Sequence, residues 1–158
     1  MSQTVLITGA SNGIGKACAR VFARKGYDLV LVARHREKLE AVKAELSEYD
    51  VQIKVIAMDL TGEDAAVDLY NNLVLDDISI DILVNNAGFG DHGAFHDSSW
   101  EKQKKMVLLN IVALMQMTYV FGQSMKRRKK GRILNVASIA GLCAGPYTVS
   151  YTHLTLPT

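Results

Sequence analysis

Three glycines near the amino terminus have the spacing of an anion-binding turn. Gly9, Gly13 and Gly15 follow a short apolar run at residues 5–7 and precede a segment with helical periodicity. A glycine-rich turn between a strand and a helix exposes backbone amides and the positive end of the helix dipole. Gly9 allows a sharp turn, Gly13 lets the backbone approach a pyrophosphate, and Gly15 lets the helix pack closely on the strand. The spacing is G-x-x-x-G-x-G, not G-x-G-x-x-G, so an ordinary tight turn is the alternative.

Two adjacent asparagines end another apolar run. Residues 81–88 read DILVNNAG, which puts Asn85 and Asn86 where a predicted strand leaves its sheet. In open α/β sheets, ligands bind at the carboxyl ends of the parallel strands. These asparagines can fix the backbone geometry there or donate hydrogen bonds to a ribose, and a merely polar strand exit is the alternative.

The segments that carry these motifs alternate between strands and helices, which predicts a parallel sheet covered by helices. Predicted strands cover residues 4–8, 29–33, 53–58, 82–85 and 132–136, and predicted helices cover residues 14–25, 36–48, 61–75 and 99–128. The first helix is expected to bury one face, formed by Ile14, Cys18, Val21 and Phe22. Thr61 is the predicted N-cap of the third helix, with Asp64 in the capping-box position.

The composition is that of a globular domain. The chain has 158 residues, 49% hydrophobic and 22% charged, with a net charge of +2. That charge is too small to indicate a nucleic-acid partner, and we expect no apolar run of membrane-spanning length. A strand begins at once, which leaves no room for a signal peptide, and Cys18 and Cys143 lack metal-ligand spacing. We therefore predict a cytoplasmic protein with no metal and no membrane or nucleic-acid partner.

A dense basic run at residues 126–130 is open to two interpretations. It could form a patch for nucleic acid or another anionic surface, with a steep salt dependence of binding. Alternatively, it is a solvated helix end whose cations interact favourably with the helix dipole. We favour the second interpretation because charge elsewhere in the chain is balanced.

The motifs together resemble the short-chain dehydrogenase/reductase family. The resemblance is carried by the glycine turn, the NNAG motif, Asn110 in the long helix and the stretch NVAS ending at Ser138, and it covers residues 1 to about 147. It implies an α/β fold, a Rossmann-type doubly wound parallel sheet of strand order 3-2-1-4-5, with the family's C-terminal strands missing. The family transfers hydride between a nicotinamide cofactor and a small-molecule carbonyl or alcohol. Its long helix often forms a subunit interface, so we expect the parent protein to be a homo-oligomer.

The resemblance also implies a set of cofactor-binding residues, which lie at the ends of the first, third and fourth predicted strands. They are Thr8, Gly9, Ser11, Asn12, Gly13, Ile14, Gly15, Asp59 on the adenine side, Leu60, Asn86, Ala87 and Gly88. The end of the second strand sets the cofactor, because an acid there binds the ribose of NAD and an arginine accommodates the 2′-phosphate of NADP. Arg34 stands at this point, and its guanidinium matches phosphate geometry in a bidentate way. We predict NADP over NAD, with a solvated arginine as the alternative.

For catalysis the resemblance implies Asn110, Ser138 and Tyr151. In the family a serine holds the substrate oxygen and a tyrosine donates the proton. A lysine four residues after the tyrosine lowers its pKa from about 10. Tyr151 stands thirteen residues after Ser138, which is the family's spacing, but Thr155 occupies the lysine position. A threonine carries no charge and cannot supply that shift.

The last ten residues break the family pattern. Residues 149–158 read VSYTHLTLPT, with poor helix character where the family begins a helix. Back-translated, they resemble a transposon adapter used in sequencing libraries. We therefore expect residues 1–148 to be a truncated NAD(P)-binding Rossmann domain, residues 149–158 to be a non-native tail, and Tyr151 to match by coincidence. An uncovered fifth strand then predicts marginal stability or aggregation.

Two functional hypotheses follow. The first is an NADP-dependent oxidoreductase, present here as an incomplete fragment with little or no activity. The second is a non-catalytic dinucleotide-binding redox sensor that keeps the glycine loop and lacks the lysine. The substrate is not specified, although the loop after the fourth strand offers possible pocket-wall residues, namely Phe89, His92, Phe95 and His96.

Overall fold

The structure, a computed structural model, describes residues 2–138 and is organised around a five-stranded parallel sheet. Its strands are β1 (Thr4–Thr8), β2 (Asp28–Ala33), β3 (Ile53–Ala57), β4 (Ile82–Asn85) and β5 (Arg132–Asn135). The spatial order is β3-β2-β1-β4-β5, and each neighbouring pair is parallel. The predicted fold class and strand order 3-2-1-4-5 are confirmed.

Helices connect the strands on both faces of the sheet. They are α1 (Gly13–Arg24), α2 (Arg36–Glu45), α3 (Ala65–Leu75), α4 (Trp100–Val107) and α5 (Leu114–Arg128). A π-helical turn, Leu108–Ala113, joins α4 to α5 in one continuous helical segment. Each predicted helix is present, with boundaries that differ by no more than about four residues.

Alternate residues of the central strands enter two separate cores, because successive side chains point to opposite faces of a sheet. On one face Leu6, Val30 and Leu83 pack with residues of α3 and α5. On the other face Ile7 and Leu31 pack with residues of α1 and α2. Strands covered on both sides read as continuous apolar runs, which is why the sequence reveals them.

The buried face of α1 differs from the predicted one. Its buried residues are Gly15, Ala19 and Ala23, whereas Ile14 is 61% exposed and Val21 is 43% exposed. Small side chains let α1 approach the sheet closely, so the face in contact with β1 and β2 is the least bulky one. The larger Cys18 and Phe22 lie at the edge of that contact and are partly buried.

The predicted N-cap of α3 is also wrong. The Thr61 hydroxyl donates to Asp59 Oδ1 at 3.0 Å, and the Thr61 amide donates to the same oxygen at 3.0 Å. The helix begins later, at Ala65, and Asp64 makes no side-chain capping bond. The Asp59 carboxylate therefore competes successfully for the threonine and folds residues 59–61 into a local turn.

Within residues 2–138, one helical segment is long and apolar enough to cross a bilayer by length and composition. It is Trp100–Arg128, 29 residues with a mean hydropathy of 1.4 over its most apolar window. The expectation that no segment reaches this length is therefore wrong by that measure. The same segment packs Met117 and Phe121 against the sheet, and 22% of its most apolar window is buried within the protein.

Part of the basic run has a structural role at the amino edge of the sheet. Arg128 and Lys130 form ion pairs with the carboxylate of Asp81, at 3.4 and 3.1 Å. Burial raises the pKa of Asp81, but the hydrogen bonds from Lys130 and the Thr4 amide and the charge of Arg128 outweigh it and hold this pKa below its usual value. These pairs connect the end of α5 and the start of β5 to β4.

Candidate functional site

The glycine loop has two tightly packed positions and one open position. A Cβ on Gly15 would lie 2.3 Å from the Gly9 carbonyl oxygen, and one on Gly9 would lie 2.9 Å from Ala87 Cα. A Cβ on Gly13 would meet no atom within 4 Å, although the φ of +50° at this residue favours glycine. Gly9 and Gly15 thus allow close packing, and the Gly13 backbone faces open space that a ligand can enter.

The loop is held in place by neutral hydrogen bonds from both sides. The side-chain amide of Asn86 donates to the carbonyls of Thr8, at 3.0 Å, and Gly9, at 3.2 Å. The buried Thr8 hydroxyl accepts hydrogen bonds from the amides of Asn86 and Ala87, at 3.0 and 2.9 Å. Asn86 and Thr8 therefore fix backbone geometry, and their side chains are engaged within the protein.

The start of α1 offers backbone amides with no capping side chain. Asn12 precedes the helix in an extended conformation, and its side chain makes no capping hydrogen bond. The first amides of a helix have no intrahelical acceptor, and the helix dipole adds a partial positive charge there. Ile14, at the same turn, is exposed. This arrangement suits a phosphate or pyrophosphate bound by the backbone.

Arg34 lies beside this turn at the carboxyl end of β2. The Ala10 amide donates to the Val32 carbonyl at 3.3 Å, which ties the glycine loop to that strand end. Arg34 is exposed and forms no ion pair within the described residues, whereas Arg36 pairs with Glu40 at 3.5 Å. The Arg34 guanidinium, exposed and without an ion pair in the part of the chain that the structure describes, is accessible to an anionic ligand.

The other predicted cofactor residues are divided between surface and interior. Asp59 is exposed at the end of β3, with Oδ1 engaged by Thr61. Leu60 is buried, and it lines a small cavity together with Thr8, Asn85 and Ala87 under the α5 segment. The structure thus brings together predicted residues from the first, third and fourth strand ends.

Asn110 lies in the π-helical turn and clamps the loop that follows β4. Its Oδ1 accepts a hydrogen bond from the Phe89 amide at 3.1 Å, and its Nδ2 donates to the Phe89 carbonyl at 2.9 Å. A Cβ on Gly88 would lie 3.1 Å from Asn110 Oδ1. The glycine of the NNAG motif therefore leaves space for the Asn110 side chain to reach the Phe89 backbone. Irregular π turns in helices occur often at functional sites.

Asn85, the first asparagine of the NNAG motif, fixes backbone geometry, which is one of the two roles expected of it. It is buried, and its Nδ2 donates to Thr118 Oγ1 at 3.1 Å and to Asn135 Oδ1 at 3.0 Å. It therefore fastens the end of β4 to α5 and to the end of β5. The available signal was a polar residue at the end of an otherwise apolar strand.

The predicted catalytic residues are only partly described. Ser138 follows β5 and is partly buried, at the same carboxyl edge as Asn85. Tyr151 and Thr155 lie outside the described residues, as does Cys143. Within residues 2–138, no group of three His, Cys, Asp or Glu residues could hold a metal ion.

Comparison with known proteins supports the family resemblance. The model of the short-chain dehydrogenase family matches residues 3–153. A very-long-chain 3-oxoacyl-CoA reductase from Phaeosphaeria nodorum is 36% identical over 155 residues, covering 93% of this chain and 45% of that protein. The chain spans about half the length of the curated relatives it matches.

Solved structures give the same result. A short-chain dehydrogenase from Sphingobium yanoikuyae in complex with NADPH has a TM-score of 0.89 and 35% identity, covering 97% of this chain and 60% of its own. A metagenomic short-chain oxidoreductase in complex with NADP has a TM-score of 0.92 and 32% identity, covering 99% of this chain and 72% of its own. With its five-stranded sheet, open glycine turn and matched family model, the chain belongs to the short-chain dehydrogenase family.

Proposed function

We propose that this chain is part of an NADP-dependent oxidoreductase that transfers hydride between nicotinamide and a carbonyl or alcohol substrate. The observation that carries the proposal is the open backbone at Gly13, next to the uncapped start of α1 and the unpaired Arg34. The cofactor supplies the hydride when it is bound. NADP or NADPH is present in two of the solved relatives, in accord with the proposal.

In this proposal, each part of the site has a distinct task. The first amides of α1 bind the pyrophosphate, Arg34 binds the 2′-phosphate, and Asp59 lies on the adenine side. Ser138 orients the substrate oxygen, and Asn110 fixes the loop that follows β4. The proton comes from a tyrosine at the family position, which Tyr151 occupies in the chain as given. Thr8 and Asn86 act indirectly, by fixing the backbone of the glycine loop that binds the cofactor.

The substrate class follows from the reaction type. A hydride acceptor beside a hydroxyl proton donor is a carbonyl, and the reverse reaction starts from the alcohol. Relatives include proteins named very-long-chain 3-oxoacyl-CoA reductase and 3beta-hydroxysteroid dehydrogenase, which indicates apolar carbonyl or alcohol compounds. We propose a small molecule of this kind as substrate, in a cytoplasmic protein.

We further propose that the chain as given binds NADPH but turns over little or no substrate. Thr155 stands where the family has its lysine, and without a cation the tyrosine pKa stays too high for proton transfer at neutral pH. Residues 149–158 are then a non-native tail on a domain of residues 1–148. Genomic DNA read across codon 148 tests this: a lysine codon in the family position supports it, and an authentic Thr155 favours the redox sensor.

Cofactor choice is tested by titrating NADPH and NADH into the protein and its Arg34→Ala variant. We expect NADPH to bind more tightly, and the substitution to weaken NADPH binding by about tenfold to a hundredfold through loss of the phosphate contact. NADH binding should change little. Arg36→Ala, which removes a nearby arginine engaged with Glu40, is the matched control. Tighter binding of NADH by the unmodified protein would contradict the proposal.

The parent protein is proposed to be a homo-oligomer that uses the outer face of α5. Met115 and Tyr119 are 63% and 68% exposed and stand one turn apart on this helix. Large apolar side chains that are exposed side by side often mark an interface. Light scattering on the longest polypeptide that the gene encodes tests this, with Tyr119→Glu expected to shift the mass toward that of the monomer.

A further inference from the structure

The loop between β4 and α4 contains a convergent set of hydrogen bonds that the proposed reaction does not use. Asp91 Oδ2 accepts from the Ser98 hydroxyl at 2.6 Å and from Gln103 Nε2 at 3.0 Å. Asp91 Oδ1 accepts from the Lys102 ammonium and from the His92 amide, the latter at 3.0 Å. One carboxylate thus joins the beginning of the loop, its end and the first turn of α4.

This set of contacts is well enclosed for a surface loop. Only 15% of the Asp91 side chain is exposed, and Gln103 is 7% exposed. Gln103 Nε2 also donates to the Ser98 oxygen at 2.6 Å, while Gln103 Oε1 is buried and has no partner among the described residues. The two hydrogen bonds of Gln103 Nε2 therefore go to Asp91 and to Ser98, which is itself bound to Asp91.

The same loop is fixed at a second point. Asn110 clamps the Phe89 backbone through two hydrogen bonds, two residues before Asp91. Residues 89–91 are thus held from the π-helical turn on one side and from the start of α4 on the other. Gly93 follows with a φ of +150°, which residues with a side chain rarely adopt. The exposed Phe95 and His96 come after it.

We propose that Asp91 is a positioning residue that closes the β4–α4 loop on α4 and thereby sets the substrate-facing wall of the site. The inference rests on the proposed oxidoreductase function, because the loop leaves the carboxyl end of β4, where substrates bind in such sheets. The glycine loop is held separately by Thr8 and Asn86. Opening the β4–α4 loop therefore weakens substrate binding and leaves cofactor binding intact.

A carboxylate is required at this position because four donors converge on it. An ionised aspartate offers acceptors only, whereas an asparagine presents an NH₂ group on one side. In Asp91→Asn that NH₂ group faces either Lys102 or the pair formed by Ser98 and Gln103, so one donor set is lost. In Asp91→Asn combined with Lys102→Met, the amide oxygen can face Ser98 and Gln103 while its NH₂ group faces no cation.

The test compares four proteins made from the longest polypeptide that the gene encodes: the unmodified protein, Asp91→Asn, Asp91→Asn with Lys102→Met, and Asp97→Asn. Asp97 is the matched control: it is an exposed aspartate of the same loop, and within residues 2–138 its carboxylate pairs with the adjacent His96, at 3.6 Å. Hydrogen exchange of residues 91–99, the NADPH dissociation constant, and KM and kcat for a reducible carbonyl compound are measured.

We expect Asp91→Asn to speed amide exchange in the loop and to raise KM, each by about tenfold, while kcat and the NADPH dissociation constant change by less than about threefold. The double variant should recover part of the KM, which a merely structural loss of stability would not do. Asp97→Asn should match the unmodified protein.

Other outcomes separate the two proposals. Unchanged exchange in Asp91→Asn, or faster exchange with an unchanged KM, would overturn the role of Asp91. Equal losses in kcat and in NADPH binding would overturn it as well, because they would show a general structural defect. Absence of NADPH-dependent turnover in the unmodified protein would instead count against the proposed function, and the exchange data would still decide whether Asp91 closes the loop.

Discussion

Two loops meet at the carboxyl edge of the sheet, and they are held by different kinds of interaction. The glycine loop is fastened by uncharged groups, the Thr8 hydroxyl and the Asn86 amide. The β4–α4 loop is fastened by the ionised Asp91 and its partner Lys102. The two loops are distant in the chain, but the residues that fasten them are not, since Asn86 and Asp91 are separated by only four residues.

The difference indicates how the two halves of the site respond to their surroundings. Hydrogen bonds between uncharged groups depend little on salt or on pH in the neutral range, whereas an ion pair near the surface is screened by salt and lost on protonation. The proposed cofactor side of the site is therefore held by contacts that change little with conditions. The proposed substrate side is held by a contact that conditions can loosen.

The largest expected effect comes from Gly15→Ala. The added Cβ would lie 2.3 Å from the Gly9 carbonyl oxygen and 2.5 Å from Asn86 Nδ2, so the glycine loop must move. We expect a loss of about 1 to 3 kcal/mol in the free energy of unfolding. NADPH binding should weaken about a hundredfold, as measured by fluorescence titration.

Gly122→Ala is the matched control for this substitution. Gly122 also lies inside a helix, but a Cβ there would meet Ile133 Cδ1 at 3.7 Å, an ordinary contact. This variant should be more stable than the unmodified protein by about 0.5 to 1 kcal/mol and should bind NADPH normally. Equal behaviour of the two variants would show that the glycine loop is not tightly packed.

A smaller effect on NADPH binding is expected from Asn86→Ala, which removes the donor to the Thr8 and Gly9 carbonyls. Two lost hydrogen bonds correspond to about 1 to 3 kcal/mol in unfolding free energy, and NADPH binding should weaken about tenfold. Asn72→Ala, at an exposed position of α3, should leave both quantities unchanged. An unchanged NADPH dissociation constant for Asn86→Ala would show that the cofactor-binding conformation of the glycine loop does not depend on this side-chain amide.

The smallest effect is expected from acidification. The hydrogen bond from Lys102, with that from Ser98, holds the pKa of Asp91 below its usual value. A carboxyl group with a lowered pKa stabilises the fold above its unfolded-state pKa of about 3.9 and loses that contribution as pH falls through its folded-state pKa.

The difference in unfolding midpoint between the unmodified protein and Asp91→Asn should therefore be constant above about pH 5 and shrink below about pH 4. Urea unfolding at a series of pH values measures it. Among the described residues, Asp91 accepts hydrogen bonds from Lys102, Ser98, Gln103 and the His92 amide, and the Lys102 ammonium supplies a positive charge. A difference that persists unchanged at low pH would show that the contacts of Asp91 with Ser98, Lys102 and Gln103 do not need an ionised carboxylate.

The sequence predicted the sheet because its strands carry a strong and local signal. Residues 5–7 and 29–32 are buried on both faces, and the continuous apolar runs that this requires can be read directly. The glycine turn could also be predicted from the sequence, since the spacing of Gly9, Gly13 and Gly15 reflects backbone constraints within one short segment. Such features need no knowledge of partners that are distant in the chain.

Predictions failed where small side chains or competing polar neighbours decide the outcome. Periodicity placed Ile14 and Val21 in the core, but close packing on the sheet selected Gly15, Ala19 and Ala23 instead. Thr61 was expected to cap α3 and is bound by Asp59. The contacts of Asp91 with Ser98, Lys102 and Gln103 follow no recognised spacing, so only the fold of the loop reveals them.

The π-helical turn at Leu108–Ala113 restricts which insertions and deletions this helical segment can tolerate. Removing one residue from it would let the segment close as an ordinary α-helix, because a π turn holds one more residue per turn than an α-helix. The flanking helices would keep their phase, with Phe121 on the sheet, while Asn110 would lose the turn that presents it to the Phe89 backbone. A deletion within α5 would instead rotate the residues that follow by about 100° and turn them away from the sheet. A one-residue deletion should therefore disturb the β4–α4 loop when it falls in the π turn and the core when it falls in α5.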